Sequence, residues 1–505
     1  MKKFLFIKVM AVTLFLAVFN QSCTDLEEEI FSQVTADNFF QSDDEFISAL
    51  GAAYTTLYGM YGTPGVIGIQ EISSRHMVVP TRGQDWDDGG HWRRLHQQEW
   101  TSEDPATNGA WGVLNGGVST CNRLIFQFEE LNNPSTTPFL AELRALRAIY
   151  YYWLLDIYGN VPIITDFNVD PSSITQSSRA EVYNFVESEL QDALTNVTSA
   201  KDGSTYGRVN RDVVNTVLTK LYLNAEVYTG TAQWQRAADA AQAVIGSGNY
   251  ALLGNYFDNF STDNSGSTEF IFAIPYDQVF AGGFVIPQQT LHYASQATFN
   301  LQAQPWNGWS TLEDFYNSYE DGDLRQENHL VGPQFASDGS RLEDAGAEPF
   351  DIDGPQLTFT PEINELGPNA CRQCGARVGK FEIANGSTPN LSNDFPLFRY
   401  ADVLLMRAEA LWRMNSGDAE ALDIVNQIRA RAGLGAASTI TADQLLDERG
   451  HELFMEGHAR TDEIRFGRFL EARWEKAEQP ECKTLFPLPQ SQIDANANFT
   501  QNPCY

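Results

Sequence analysis

Apolar residues in this chain recur at three- and four-residue spacing in one long segment after another, and the segments come in pairs. That pattern commits the chain to a scaffold of packed helices. The clearest segment runs from about 139 to 158, where Leu143, Leu146, Ile149, Tyr150, Trp153 and Leu154 cover a wide face. Gly159 then ends the helix and Pro162 prevents its resumption. Ser42 is a good N-cap for a helix carrying Phe46, Ala49, Leu50, Ala53, Tyr54 and Leu57. Another is expected from about Trp111 through Cys121, Leu124 and Phe128, with more at about 180–197, 211–229, 233–246, 399–414, 418–432 and 442–457. Strand-like runs are short, and Phe270–Ile274 is the best of them. Paired helices of this size, with Ala and aromatics where neighbours pack closely, predict a mainly α fold on a tetratricopeptide-type helical repeat scaffold. The helical parts are expected at about 40–248 and 398–475. Between them, about 249–397 is rich in Gly, Pro, Asn and Asp and carries aromatics without helical periodicity. A loop-rich insert that long is functional or disordered, and its aromatic content argues for function.

The N-terminus carries an address. Lys2, Lys3 and Lys8 precede a short apolar stretch through Phe19, and Ser22 stands before Cys23. This reads as a signal peptide over 1–22, too short in its apolar part to span a bilayer. Cys23 is then the acylation site of a bacterial lipoprotein, several chains holding it on the membrane. The competing reading is a soluble secreted protein with an incidental cysteine. The run Thr24-Asp25-Leu26-Glu27-Glu28-Glu29 resembles the signal that sends Bacteroidetes lipoproteins to the outer face of the outer membrane. No Pro- or Ser-rich linker divides 23–505, which is read as one unit. The net charge of −33 becomes three units more negative once Lys2, Lys3 and Lys8 are removed. Such a chain repels nucleic acid and anionic polymers, so a neutral partner is expected.

Catalytic signals are weak. No G-x-S-x-G, H-E-x-x-H, phosphate-loop or dinucleotide fingerprint occurs, and the seven histidines are scattered singly. With 66 acidic residues, a pair of carboxylates at glycosidase separation carries little information. Neither a cofactor nor a metal is expected. Cys371-Arg372-Gln373-Cys374 has zinc-like spacing without a second ligand pair, leaving a local disulfide, two inert thiols or a metal open.

Five blocks in order carry a family resemblance. Glu142-Leu143-Arg144-Ala145-Leu146-Arg147-Ala148, with Tyr150-Tyr151, leads to Tyr158-Gly159-Asn160-Val161-Pro162. Phe398 to Met406 is followed by Ala408-Glu409-Ala410, then Asn426, Arg429, Arg431 and Gly433. Glu448-Arg449, Glu452-Leu453, Glu456-Gly457, Arg460, Asp462 and Arg465 form a third block, Phe486-Pro487-Leu488-Pro489 a fourth and Gln501-Asn502-Pro503 the last. Together they resemble the SusD/RagB family of outer-membrane lipoproteins. The resemblance implies a SusD-like fold and a non-enzymatic surface lipoprotein. It would bind oligo- or polysaccharide and deliver it to a SusC-like TonB-dependent transporter, the tetratricopeptide helices forming much of the transporter contact. A peptide-binding RagB-like role is the alternative, and a surface glycoside hydrolase a remote one. The charged residues of these blocks read as ion pairs between helices, and Tyr150 through Trp153 as core.

A glycan site needs exposed aromatic faces for sugar C–H groups and planar polar groups for hydroxyls. Two loops offer both: Thr81 to Trp92, with Arg82, Asp85 and Trp86, and His292-Tyr293 followed by Trp306-Asn307-Gly308-Trp309. Arg82, Asp85, Trp86, Tyr293, Trp306, Asn307 and Trp309 are the candidate contacts. Burial competes for Trp86, Trp306 and Trp309, and a loop salt bridge for Arg82 and Asp85. Trp92, Trp100 and Trp111 read as core. Asp85, Asp87 and Asp88 do not follow the order of an EF-hand calcium loop. Acidity leans towards a neutral polymer such as a β-glucan, mannan or fructan.

Overall fold

In a computed structural model the described residues are Phe40, 42–62, 65–347, Pro349, Asp351 and 354–505. The expected signal peptide, Cys23 and the acidic run lie outside them. Phe46–Tyr505 forms one unit.

Helices stand where apolar periodicity and terminal residues agree. Pro105–Glu130, Thr137–Ile157, Arg179–Ala193, Arg211–Leu223 and Trp234–Ser247 precede the loop-rich stretch, and Tyr400–Met414, Ala419–Arg431 and Ala442–Leu453 follow it. The helix Thr137–Ile157 buries residues all round, including Tyr150, Tyr151, Tyr152 and Trp153. Each such side chain, taken fully from water, contributes about 1.5–3 kcal/mol. Gly159 closes this helix with φ 72°, its N–H donating to Leu154 O at 3.2 Å. That left-handed turn is open to glycine at no steric cost. Ser178 and Glu181 cap the next helix reciprocally. After the insert, Leu404, Leu405, Ile424, Val425, Ile428 and Leu445 from three successive helices share one apolar cluster.

Two strand pairings organise the rest. Phe270–Ile274 pairs antiparallel with Phe395–Arg399, so the stretch between them leaves and re-enters the body at one place. Beneath that pairing lies a buried charge network. Arg399 binds Glu269 at 2.9 Å, Glu452 at 2.7 Å and Glu456 at 2.8 Å, while Arg431 binds Glu269 at 2.6 Å and Lys380 binds Glu456 at 2.6 Å. Arg325 reaches Asp323 at 2.8 Å and Glu448 at 2.5 Å. The family-block charges are thus structural ion pairs; Arg147 joins Glu189, Arg144 joins Glu129, and Glu142 accepts from Arg208.

The second pairing is short. Met77–Val78 pairs antiparallel with Ser310–Thr311. One strand runs straight into the Thr81–Trp92 loop and the other follows Trp309 directly. Four backbone positions therefore bring together two loops more than 200 residues apart.

Candidate functional site

Arg82 is the hub where the loops meet. It is 4% exposed. Its Nη1 donates to Asn307 O at 2.7 Å and Gly308 O at 2.9 Å, its Nε to Cys371 O at 3.1 Å, and its Nη2 to Cys374 O at 2.8 Å and Ser310 Oγ at 3.1 Å. Arg377 stands beside it, donating to Cys374 O, Gly375 O, Arg372 O and Ser310 Oγ and, through Nη2, to Asn307 Oδ1 at 2.8 Å. Asn307 Nδ2 in turn donates to Arg372 O at 3.0 Å. Burial first, with the neighbouring Arg372 adding to it, pulls Arg82 down to about 10; burial and then Arg82 pull Arg377 down as well. Two buried guanidinium groups lie side by side and hold loop backbone through carbonyls. Cys371 and Cys374 form a disulfide, which settles the alternatives for that motif; Cys482 and Cys504 form another.

On this base stand the aromatic rings. Trp306 is 43% exposed. Trp86, half-buried, donates its Nε1–H to Trp306 O at 2.7 Å, and the two ring centroids lie 6.3 Å apart with planes inclined by 50°. Gly308 is required beneath Trp86, because a Cβ there would sit 2.2 Å from the indole Cε2. Trp86 meets Trp92 edge-on at 5.4 Å, and Trp92 anchors its Nε1–H on Asp88 Oδ2 at 2.8 Å. At the polar end, the Tyr293 hydroxyl bonds to the exposed Asp85 carboxylate. Burial, then Asp85, raises the Tyr293 hydroxyl, which stays protonated and donates. Arg372 lies 4.9 Å over the Tyr293 ring and pairs with Asp344 at 2.6 Å. Burial pushes Asp344 up, but hydrogen bonds from His292 and Arg372 outweigh it and hold this carboxyl well below its usual range.

The seven candidates therefore divide. Trp86, Trp306, Asp85 and Tyr293 come together at an accessible surface. Arg82, Asn307 and Trp309 are corrected to supporting roles. Trp309 is 0% exposed, packed among Tyr61, Trp92 and Gly68, and Asn307 is 0% exposed with both ends of its amide engaged. A ring enclosed on all sides has no face for a ligand. Trp92, Trp100 and Trp111 are core, as expected. Asp85, Asp87 and Asp88 turn to separate partners, Tyr293, Arg93 and Trp92, and do not converge. Sequence reasoning missed Arg372 and Arg377; only the neighbouring cysteine spacing marked their segment.

Comparison with known families bears on the whole chain. A model described as starch-binding associating with outer membrane matches residues 70–223, and the SusD family model matches 374–484. The two segments together take in more than half of the chain. The chain belongs to the SusD/RagB family. Similar proteins include the starch-binding protein SusD of Bacteroides thetaiotaomicron, 26% identical over 471 residues, 83% of this chain and 82% of that one. The SusD-like protein P2 of Formosa agariphila is 24% identical over 95% of this chain and 96% of its own. Among solved structures, a SusD superfamily protein from Parabacteroides distasonis aligns with TM-score 0.75 at 21% identity, over 94% of this chain and 100% of that one. Surface glycan-binding protein A from Bacteroides thetaiotaomicron, in complex with laminarihexaose, aligns with TM-score 0.71 at 22% identity, over 91% and 99%.

In this SusD/RagB protein the Thr81–Trp92 loop falls inside a matched segment, whereas Tyr293 and Trp306–Trp309 fall in neither. Of the four accessible residues, Asp85 and Trp86 thus lie inside a matched segment, and Tyr293 and Trp306 lie outside both.

Proposed function

We propose that this protein captures a neutral oligo- or polysaccharide, such as a β-glucan, at the cell surface and passes it to a SusC-like TonB-dependent transporter without cleaving it. The observation that carries the reading is the exposed Trp306 ring set at an angle to Trp86 beside the Asp85–Tyr293 pair. Stacking faces and a hydroxyl-directed carboxylate adjoin there, which is what a sugar ring requires. The names of relatives support the ligand class: starch-binding for one, glycan-binding with bound laminarihexaose for another. The acidic chain favours an uncharged ligand. The test is Trp306→Ala. Losing one stacking ring costs about 1–2 kcal/mol, roughly tenfold in affinity, while a ring 43% exposed leaves the melting temperature nearly unchanged. Unchanged affinity in calorimetry, or release of new reducing ends from bound glycan, overturns the reading.

The same proposal places the protein on the outer membrane through acylated Cys23, with tetratricopeptide-like helices as the transporter-facing surface. Cys23→Ala is expected to move the protein from membrane to soluble fractions, because the signal is cleaved and no helix among the described residues is long and apolar enough to cross a membrane. Retention of that variant on the cell surface overturns the anchor.

A further inference from the structure

The Cys371–Cys374 bridge is poorly explained as a device for global stability. It closes a loop of sequence separation 3, against 22 for Cys482–Cys504. On the chain-entropy account so short a loop constrains the unfolded chain by roughly half as much as the longer one. Its position offers a better reason. Three of the four residues it brackets present carbonyls to the arginine pair or its loop: Cys371 O to Arg82, Cys374 O to Arg82 and Arg377, and Arg372 O to Arg377 and Asn307. The turn is pinned at its other edge too, Cys371 N–H donating to Asn364 Oδ1 at 2.7 Å and the Gln373 side chain bridging Thr358 N and Gly354 O.

The arginine pair makes stiffness necessary. Arg82 and Arg377 share Ser310 Oγ and Cys374 O, so two positive charges are packed together in a dry place. Carbonyl oxygens offset their desolvation only if held at hydrogen-bond distance, since an unpaired buried charge is costly. A turn free to open by an ångström releases the guanidinium groups, and with them Asn307 O and Gly308 O. Gly308 is the platform under Trp86. Arg372, in the same turn, also covers the Tyr293 ring with its guanidinium group.

We propose that the Cys371–Cys374 disulfide is a positioning element of the carbohydrate site, locking the carbonyl cradle that sets Trp86, Trp306 and Tyr293 in register for a sugar chain. This rests on the glycan-binding reading above. Affinity that depends on a preorganised surface is lost when the supporting layer loosens, even with every contact residue present.

The test compares wild type, the double variant Cys371→Ser/Cys374→Ser, the double variant Cys482→Ser/Cys504→Ser, and Trp306→Ala. Affinity is measured by calorimetry with laminarihexaose and maltohexaose as probes, together with melting temperature. The Cys371/Cys374 variant is expected to bind about tenfold more weakly while melting no lower than the Cys482/Cys504 variant, which keeps wild-type affinity. A second measurement avoids substitution. Dithiothreitol reduces the disulfide to two thiols and becomes the cyclic disulfide; oxidised glutathione then takes the two electrons back. Affinity should fall and return in the Cys482→Ser/Cys504→Ser background, where the gain of two thiols on reduction, over the count that includes free Cys121, reports Cys371 and Cys374. Unchanged affinity in both experiments overturns the proposal, as does equal loss in both double variants. If Trp306→Ala is silent as well, the glycan site itself has been misplaced.

Discussion

Acidification is expected to unfold this protein well above the pH at which its carboxylates alone would do so. Four buried histidines are the reason. Burial, then Arg473, pushes His96 down to about 3; burial, then His76, pushes His329 to about 3; burial, then Lys220, pushes His458 to about 4. His451 is lowered by burial and then by Arg325. In the unfolded chain each takes a proton near pH 6.5. The fold refuses that proton until pH 3–4 at His96, His329 and His458, so stability falls as pH drops from 6.5 towards 3. Each refused proton costs about 1.4 kcal/mol per pH unit. At pH 4.5 His96, His329 and His458 together withdraw on the order of 8 kcal/mol, comparable to the whole stability of a typical domain. The buried carboxylates act lower down. Cationic neighbours outweigh burial and hold Glu452 and Asp462 at about 2, so their contribution is present above their ordinary values near 4 and lost as pH falls towards 2. Glu448, raised by burial, works in the opposite direction. The expected result is an unfolding midpoint above pH 4 in a tryptophan-fluorescence or circular-dichroism titration. Full native signal at pH 4 overturns this expectation.

The helical scaffold was legible because periodicity and punctuation agreed. Gly159, with Pro162 after it, marks a helix end as clearly as Leu146 and Trp153 mark a face. The site was legible only as two loops of interest. Aromatic type and turn-forming neighbours identify Trp86, Trp306 and Trp309, but they do not say which ring ends outside. That is decided by the pairing of Met77–Val78 with Ser310–Thr311, two residues on each side, too short for any pattern to reveal. The strand turns Trp309 into the core and leaves Trp306 at the surface. Arg82 deceived for a different reason: arginine is seldom fully buried, so a loop arginine reads as a ligand contact or a salt bridge. Here five hydrogen bonds to carbonyls and one hydroxyl make burial possible, and its partners come from chain more than 200 residues away.

Replacing Arg399 by Met is expected to be the most destabilising single change of comparable volume. Arg399 is 0% exposed and spends its guanidinium on three acids: Nη1 on Glu269 and Glu452, Nη2 and Nε on Glu456, with Nη2 also donating to Glu452 O at 2.9 Å. Methionine fills the space but leaves those carboxylates facing one another. Arg431 and Lys380 remain to serve Glu269 and Glu456, and Arg431 also reaches Glu452, so compensation is partial. Removing one partner of a buried ion network costs about 3–5 kcal/mol. The damage has a direction. Arg399 ends the strand that pairs with Phe270–Ile274 and closes the insert, so loosening there reaches the loops that carry Tyr293 and Trp306. A urea titration should show the midpoint falling by an amount equivalent to that cost, and ligand affinity at pH 7 should fall with it. A loss below about 1 kcal/mol would show that Glu452 or Glu456 takes up a proton and becomes neutral, the other way a buried carboxylate escapes an unpaired charge. In that case stability of the variant relative to wild type would rise as pH is lowered from 7 to 6, the histidines being common to both proteins, and parallel titrations separate the two explanations.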